Sequence, residues 1–351
     1  MGIETELNLS PTPGVASRRL KHPLLADRFS AVAELPPGLS PHPEAAGKLP
    51  SGHRVRLDES LQPVKALPIE TNGGMTAVAG FRTVALACLT HLQSNEHGLC
   101  ESDNPEFVHQ ARVAIRRLRS AIRVWKPRLP QEFVASFDPL WQALARQLGE
   151  TRNWDVFLAE TLPSILLAFP EGDEIVRLSQ YARKRCVVNR MAARVALKSV
   201  DYSRLLLEFA AAVLALPEGK ARRLEAFAPR CLDKRAAQVG QLAAEAAGGD
   251  APARHRLRVA YKRLRYALEF FAPLYPGDSL RNYHQSASGL QEMLGRLNDL
   301  AVAGELTAEA LPGSQGEALC CWFAGQTERL LPELEALLGD FHLQAAPWRT
   351  Q

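Results

Sequence analysis

From Met75 onward, apolar and polar positions alternate at helical spacing. In Ala111, Ile115, Leu118, Ile122 and Trp125 the intervals run 4, 3, 4, 3, which places five apolar side chains along one stripe of an α-helix. Patterns of this kind, cut by breakers, predict helices near 75–97, 105–126, 131–154, 155–168, 172–197 and 201–216, then near 219–247, 252–274, 279–297, 298–310, 314–331 and 332–343. Stops are expected at Lys126-Pro127, Leu216-Pro217, Gly248-Gly249 and Tyr275-Pro276-Gly277, because proline has no N–H to donate and glycine tolerates the turn that follows. Ala, Leu, Arg and Glu dominate and β-branched runs are scarce, so this part reads as all-α. Residues 1–70 lack the pattern and are rich in Pro and Gly (PTPG, LPPGLSPHP, KLPSGH), which predicts a mostly irregular segment.

Part of the pattern occurs twice. His109-Gln-Ala-Arg-Val-Ala-Ile-Arg-Arg-Leu-Arg matches His255-Arg-Leu-Arg-Val-Ala-Tyr-Lys-Arg-Leu-Arg at an offset of 146 residues, and LARQLGETRNWDV from Leu144 matches LQEMLGRLNDLAV from Leu290 at the same offset. Two motifs sharing one offset with no gap point to a duplicated helical unit. The expected architecture is a pseudo-twofold pair of helical bundles, the first copy spanning about 75–216 and the second about 217–343.

The repeated helix is basic on one face. His109, Arg112, Arg116, Arg119 and Arg123 follow 3, 4, 3, 4 spacing, and at about 100° per residue they share one narrow face, roughly 110° from the apolar stripe. The second copy carries His255, Arg258, Lys262 and Arg265, and Glu269 closes its stripe. Arg117 and Arg263 point to one side. No acidic residue lies between Glu106 and Glu132, so the first stripe finds no partner in its own helix. Like charges at i,i+3 and i,i+4 cost a few tenths of a kcal/mol each, and a repeated stripe of them implies acids elsewhere or a bound anion. A solvated face is the competing explanation, weakened because both copies keep the same charges in the same register.

The histidines allow two readings, as donors to an anion or as packed structural groups. Neither motif offers a second ligand at i+3 or i+4, which argues against a metal site. Gly149 and Gly295 suggest close helix approach or a helix end, and Asn153, Asp155, Asn298 and Asp299 read as caps for the next helix. Further cations at Arg183, Lys184, Arg185, Arg190, Arg194 and Lys198, and at Arg222, Arg223, Arg230, Lys234 and Arg235, are expected to be mainly exposed.

Composition changes this picture little. The net charge is +4 over 351 residues, so the distribution of charge matters more than its sum. Arginine outnumbers lysine, which suits bidentate contacts with phosphate oxygens. The six cysteines form no CxxC pair and read as reduced thiols of a cytoplasmic protein. The start, MGIETELNLS, has no apolar signal core, and no apolar stretch is long enough to span a membrane.

The duplicated H-x-x-R-V-A-x-[RK]-R-L-R resembles the CHAD family, the conserved histidine α-helical domain, over residues 71–347. The resemblance implies two four-helix bundles related by a pseudo-twofold axis, with a basic central cleft that binds inorganic polyphosphate. By position, the ligand-facing residues would be His109, Arg112, Arg116, Arg119 and Arg123 with His255, Arg258, Lys262 and Arg265, and Arg117 and Arg263 also match the motif. Glu4-Thr-Glu6-Leu-Asn8 and His22-Pro-Leu-Leu25 resemble the start of a CYTH domain, a triphosphate tunnel enzyme. Its lysine is replaced by Asn8, and 70 residues are too few for an eight-stranded tunnel, so 1–70 reads as a degenerate, catalytically dead remnant.

The expected function is non-enzymatic binding of polyphosphate, free or in granules, without cofactor or metal. A general polyanion or nucleic-acid binder is the alternative, and a triphosphatase acting through the N-terminus is a weaker one. Nucleic-acid binding calls for exposed aromatic side chains among the cations, and Tyr261, Tyr266 and Trp125 are the aromatics near the stripes.

Overall fold

The computed structural model describes residues 61–170, 172–218, 222–246 and 250–349. Ten α-helices order these residues: α1 (Ala77–Glu101), α2 (Pro105–Trp125), α3 (Gln131–Val156), α4 (Leu162–Ala168), α5 (Asp173–Leu197), α6 (Val200–Leu214), α7 (Leu224–Ala246), α8 (Ala251–Phe271), α9 (Asp278–Ala310) and α10 (Glu317–His342). Among the described residues there is no β-strand, and one isolated bridge joins Thr76 to Arg223. The chain is all-α, as its periodicity implies.

The bounds of α2 and α8 differ by the same 146 residues as the motifs they carry, as do the short 3-10 turns that follow them, Lys126–Arg128 and Ala272–Leu274. Local chemistry explains the match. Asn104 accepts from the Glu106 N–H and Asp250 from the Ala253 N–H, each satisfying a donor that the first helical turn leaves open. Pro105 and Pro252 stand in the first turn, where a missing N–H costs nothing, and Pro127 and Pro273 stop both helices.

Three separations expected along the chain are absent or altered. The pairs 279–297 and 298–310, and 314–331 and 332–343, are single helices, α9 and α10. Between α3 and α4 a π-turn at Phe157–Thr161 keeps the chain helical. Pro332 stands inside α10, as Pro139 does inside α3 and Pro229 inside α7. An interior proline costs about 3 kcal/mol; the buried Leu319, Phe323, Leu334 and Phe341 hold α10 together on both sides of Pro332.

Asn153 and Asp155 lie within α3, and Asn298 and Asp299 within α9, so the reading of these residues as caps is corrected. The side chains of Asp155 and Asn298 serve tertiary contacts. Asp155 receives the Arg190 guanidinium at 2.6 Å and the Cys186 thiol at 3.2 Å in a buried setting. Such contacts outweigh the few tenths of a kcal/mol by which Asn and Asp disfavour a helix interior.

Helix α2 packs between α1 and α3, and α8 between α7 and α9, while α2 and α8 touch one another. The apolar core runs through both copies. Trp125, at the end of α2, is fully buried; its ring lies 5.1 Å from Phe271 and 5.9 Å from Phe270 of α8, 5.8 Å from Phe227 of α7 and 6.1 Å from Phe81 of α1. The close fit of α1 on α2 depends on Gly98, where a methyl group would overlap the Phe107 ring. A second apolar cluster ties α3, α4 and α5 to α9 and α10 through Trp154, Phe157, Leu178, Ala303 and Phe323. The segment before α1 is pinned as well: Val64 exchanges hydrogen bonds with Asn95, and Thr71 donates to the Phe270 carbonyl. The expected CYTH-like features at residues 4–25 lie outside the described residues.

Candidate functional site

The apolar stripe of α2 is fully withdrawn from solvent: Ala111, Ile115, Leu118, Ile122 and Trp125 are each 0 or 1 % exposed. Burying that stripe fixes the rotation of α2. His109, Arg112, Arg116, Arg119 and Arg123 are then left half-buried along its flank, and Arg258, Lys262 and Arg265 are equally half-buried on α8. Because α2 and α8 pack together, the cations of the two helices face each other.

The Lys262 ammonium is where their fields add most. Burial, with the charges of Arg116, Arg258, Arg112 and Arg123, pushes it down to about 6 from its ordinary 10.5. Burial and the neighbouring Arg116 and Arg258 bring Arg112 down to about 10. Arg258 and Arg123 are lowered too, Arg258 by burial and Arg116, and Arg123 by burial and Arg119. Among the described residues none of Arg112, Arg116, Arg123, Arg258 and Lys262 forms an ion pair. The Arg116 Nε–H is buried without a partner. Holding five half-buried cations together without an ion pair is costly, and a polyanion lying between the helices would lower that cost.

The remaining residues singled out on the two helices divide by their partners. Arg119 is tied to Asp138 at 3.0 Å and Gln142 at 2.9 Å. Arg265 donates to Gln291 at 2.7 Å and lies over the Tyr266 ring. Arg117 is buried and bonds Glu269 of α8 at 2.5 Å, so it faces the packed interior and serves as a cross-link between the helices. Arg263 is half-buried, its Nε–H unpartnered. His255 is exposed and contacts Asn298 at 3.2 Å. His109 is held below its usual range by burial and by Arg152, so it stays neutral near pH 7.

Gly149 has a specific use. A methyl group there would come within 2.7 Å of the Arg112 Nη1, so the missing side chain makes room for the guanidinium, whose Nη1 donates to the Ala145 carbonyl at 2.9 Å. Gly295, its repeat partner, meets nothing within 4 Å.

Two residues belong to the site that charge counting along the helices overlooks. Arg152 of α3 acts on His109 and on Asp299. Asp299 of α9 stands at the rim; surrounding protein raises its carboxyl, while Arg258, Asn298, Arg152 and Arg116 pull it down. Both lie in the second duplicated motif, and its shared offset with the basic helix was the available signal. Among the described residues no His, Cys, Asp and Glu cluster could hold a metal ion, and no helix is long and apolar enough to cross a membrane. The cysteines are free; burial pushes the Cys88 thiol up to about 12.

The fold and site define an all-α protein whose two basic helices meet along facing rows of cations. This chain belongs to the CHAD domain family: residues 83–308 match the CHAD domain. It is similar to the crystal structure of the CHAD domain from the plant Ricinus communis, with 32% identity and a TM-score of 0.72, covering 82% of this chain and 98% of that one. PptA from Streptomyces chartreusis, at 14% identity, has a similar fold with a TM-score of 0.58, covering 76% of this chain and 99% of that one. No curated protein matches the chain.

Proposed function

We propose that this protein binds inorganic polyphosphate, without chemical change, in a basic cleft between α2 and α8. The observation that carries the reading is the cluster of Arg112, Arg116, Arg123, Arg258 and Lys262, half-buried and without an ion pair among the described residues. Exposed cations can be neutralised by water and salt; half-buried ones gain far more from a ligand that brings its own charge. A linear phosphate chain carries about one charge per unit and matches a row of cations, and arginine forks grip its oxygens in pairs.

Ligand class follows from what accompanies the cations. Single-stranded nucleic acid is held largely by base stacking on exposed aromatic rings. Tyr261, Tyr266 and Trp125 are 1 %, 1 % and 0 % exposed and belong to the core, which supports polyphosphate over nucleic acid. The resemblance of the duplicated motif to a polyphosphate-binding family points the same way. A non-catalytic role fits a site whose central groups are cations.

The test is a titration of long-chain polyphosphate at two salt concentrations, with duplex and single-stranded DNA as competitors. Arg112→Ala/Arg116→Ala and Arg258→Ala/Lys262→Ala should each weaken polyphosphate binding by at least tenfold while the helical spectrum is kept. Equal competition by DNA, or double variants that bind like the parent, would sink the assignment.

A further inference from the structure

Among the differences between the two copies, one pair of positions bears on the direction of the cleft. In the repeat, Arg117 corresponds to Arg263, and Arg123 to Glu269. On one side Arg117 of α2 meets Glu269 of α8 in an ion pair. The corresponding pair on the other side is Arg263 of α8 with Arg123 of α2, two cations.

A third cation joins them. Arg235 belongs to α7. It is half-buried, and its Nη2 donates to the Arg123 carbonyl at 3.2 Å. Burial lowers both Arg123 and Arg235, and the charge of Arg263 lowers each further. The Arg263 Nε–H is buried without a partner. Asp138, the acid whose field reaches Arg123, is bonded to Arg119. Among the described residues no carboxylate forms an ion pair with Arg123, Arg235 or Arg263. Arg123 also acts on Lys262, so the triad adjoins the central cations.

We infer that Arg123, Arg235 and Arg263 form an end subsite that receives the terminal phosphate of a linear polyphosphate. The inference rests on the polyphosphate reading above and adds an orientation to it. An internal unit of the chain has one ionised oxygen. A terminal unit has a second acidic proton with a pKa near 6, so it carries close to two charges at pH 8. Three cations at one place match a doubly charged group, whereas the Arg117–Glu269 end is internally neutralised. A chain therefore gains most when its end lies against Arg123, Arg235 and Arg263.

The test compares a short linear polyphosphate with free ends and the same chain with both ends capped as methyl esters, each titrated at pH 8. The parent protein should bind the free-ended chain about tenfold more tightly, the worth of one further charge-assisted contact. Arg235→Gln should abolish that preference and leave the affinity for the capped chain within about twofold. Arg123→Glu, which recreates with Arg263 the ion pair seen at Arg117, should also abolish it while the melting temperature holds or rises. Equal binding of free and capped chains by the parent, or equal weakening of both by Arg235→Gln, would overturn the end subsite. Arg116→Gln/Arg258→Gln reports on the cleft separately: it should weaken both chains, and parent-like binding of both would refute the cleft while leaving the preference at Arg235 to be read on its own.

Discussion

Lys262 should take up a proton when the cleft fills. Its ammonium is surrounded by Arg112, Arg116 and Arg123 of α2 and by Arg258 of its own helix, and is pushed down to about 6. At pH 7.5 a group with that value is about 3% protonated. A phosphate chain between the helices supplies the missing counter-charge and returns the group toward its ordinary 10.5, where protonation is essentially complete. Binding at pH 7.5 should therefore absorb about one proton at Lys262; at pH 5, where the free site is already about 90% charged, the uptake falls to about 0.1. The sign for folding follows from the same depression. The unfolded chain holds this proton below about pH 10.5 and the folded one only below about 6. Stability of the unliganded protein thus falls as pH drops from 10.5 to 6 and is constant with respect to this group below that. The full shift corresponds to at most about 6 kcal/mol, reduced in practice by solvent reaching a half-buried side chain.

Calorimetry in buffers of different ionisation enthalpy measures the uptake directly, as the slope of the observed binding heat against the buffer value. Long-chain polyphosphate is the right ligand, because its internal units stay ionised and exchange no protons. Lys262→Arg keeps the charge at every pH used and should lower the uptake at pH 7.5 by about one proton. His109, also held neutral, adds a contribution that this variant retains. An uptake near zero in the parent, or an unchanged uptake in Lys262→Arg, would refute the argument that these cations share one desolvated site.

Four further outcomes are expected. Neutralising five cations should give a slope of about −3.5 for log affinity against log salt, so binding falls about a hundredfold between 50 and 200 mM salt; fluorescence anisotropy across that range checks it. Gly149→Ala should displace the Arg112 guanidinium and weaken polyphosphate binding several-fold. The matched Gly295→Ala, with open space around the new methyl, should leave binding intact and stabilise α9 by about 0.5–1 kcal/mol in denaturant melts. Asp155→Ala strands the buried Arg190 guanidinium and should cost about 3–5 kcal/mol of stability, read as a lower melting temperature. Arg117→Ala leaves Glu269 without its partner and should cost stability in the same melts, whereas Arg116→Gln should weaken ligand binding and spare stability.

The legible part of this molecule was what periodicity controls. The stripe from Ala111 to Trp125 fixed which face of α2 is buried, and the repeat carried that face over to α8, so the facing cations followed from one segment of sequence. Helix ends were legible where proline sets them, as at Pro127, and the starts expected for α2 and α8 lie within one residue of those observed. The expected ends failed at Asn298, Asp299 and Pro332, where local preference pointed to a break and tertiary packing kept the helix whole. The partners of the cations were out of reach for a related reason: nothing along α2 reveals that Arg119 pairs with Asp138 while Arg116 forms no ion pair among the described residues, because each pairing depends on how α3 and α8 lie against it.

That dependence also explains how a duplicated unit comes to have unlike ends. Equal positions of two copies begin with equal side chains, and a symmetric site would hold a chain equally well in either direction. Replacing one member of an arginine–glutamate pair changes only the end it occupies: Arg117 keeps Glu269, while Arg263 faces Arg123 and gains Arg235 beside it. The rest of the framework, from the caps of α2 and α8 to the aromatic contacts of Trp125, need not change for this to happen. On the proposed reading, orientation of a uniform polymer arises from a few side chains, and the preference for free over capped chain ends measures how far these side chains have done so.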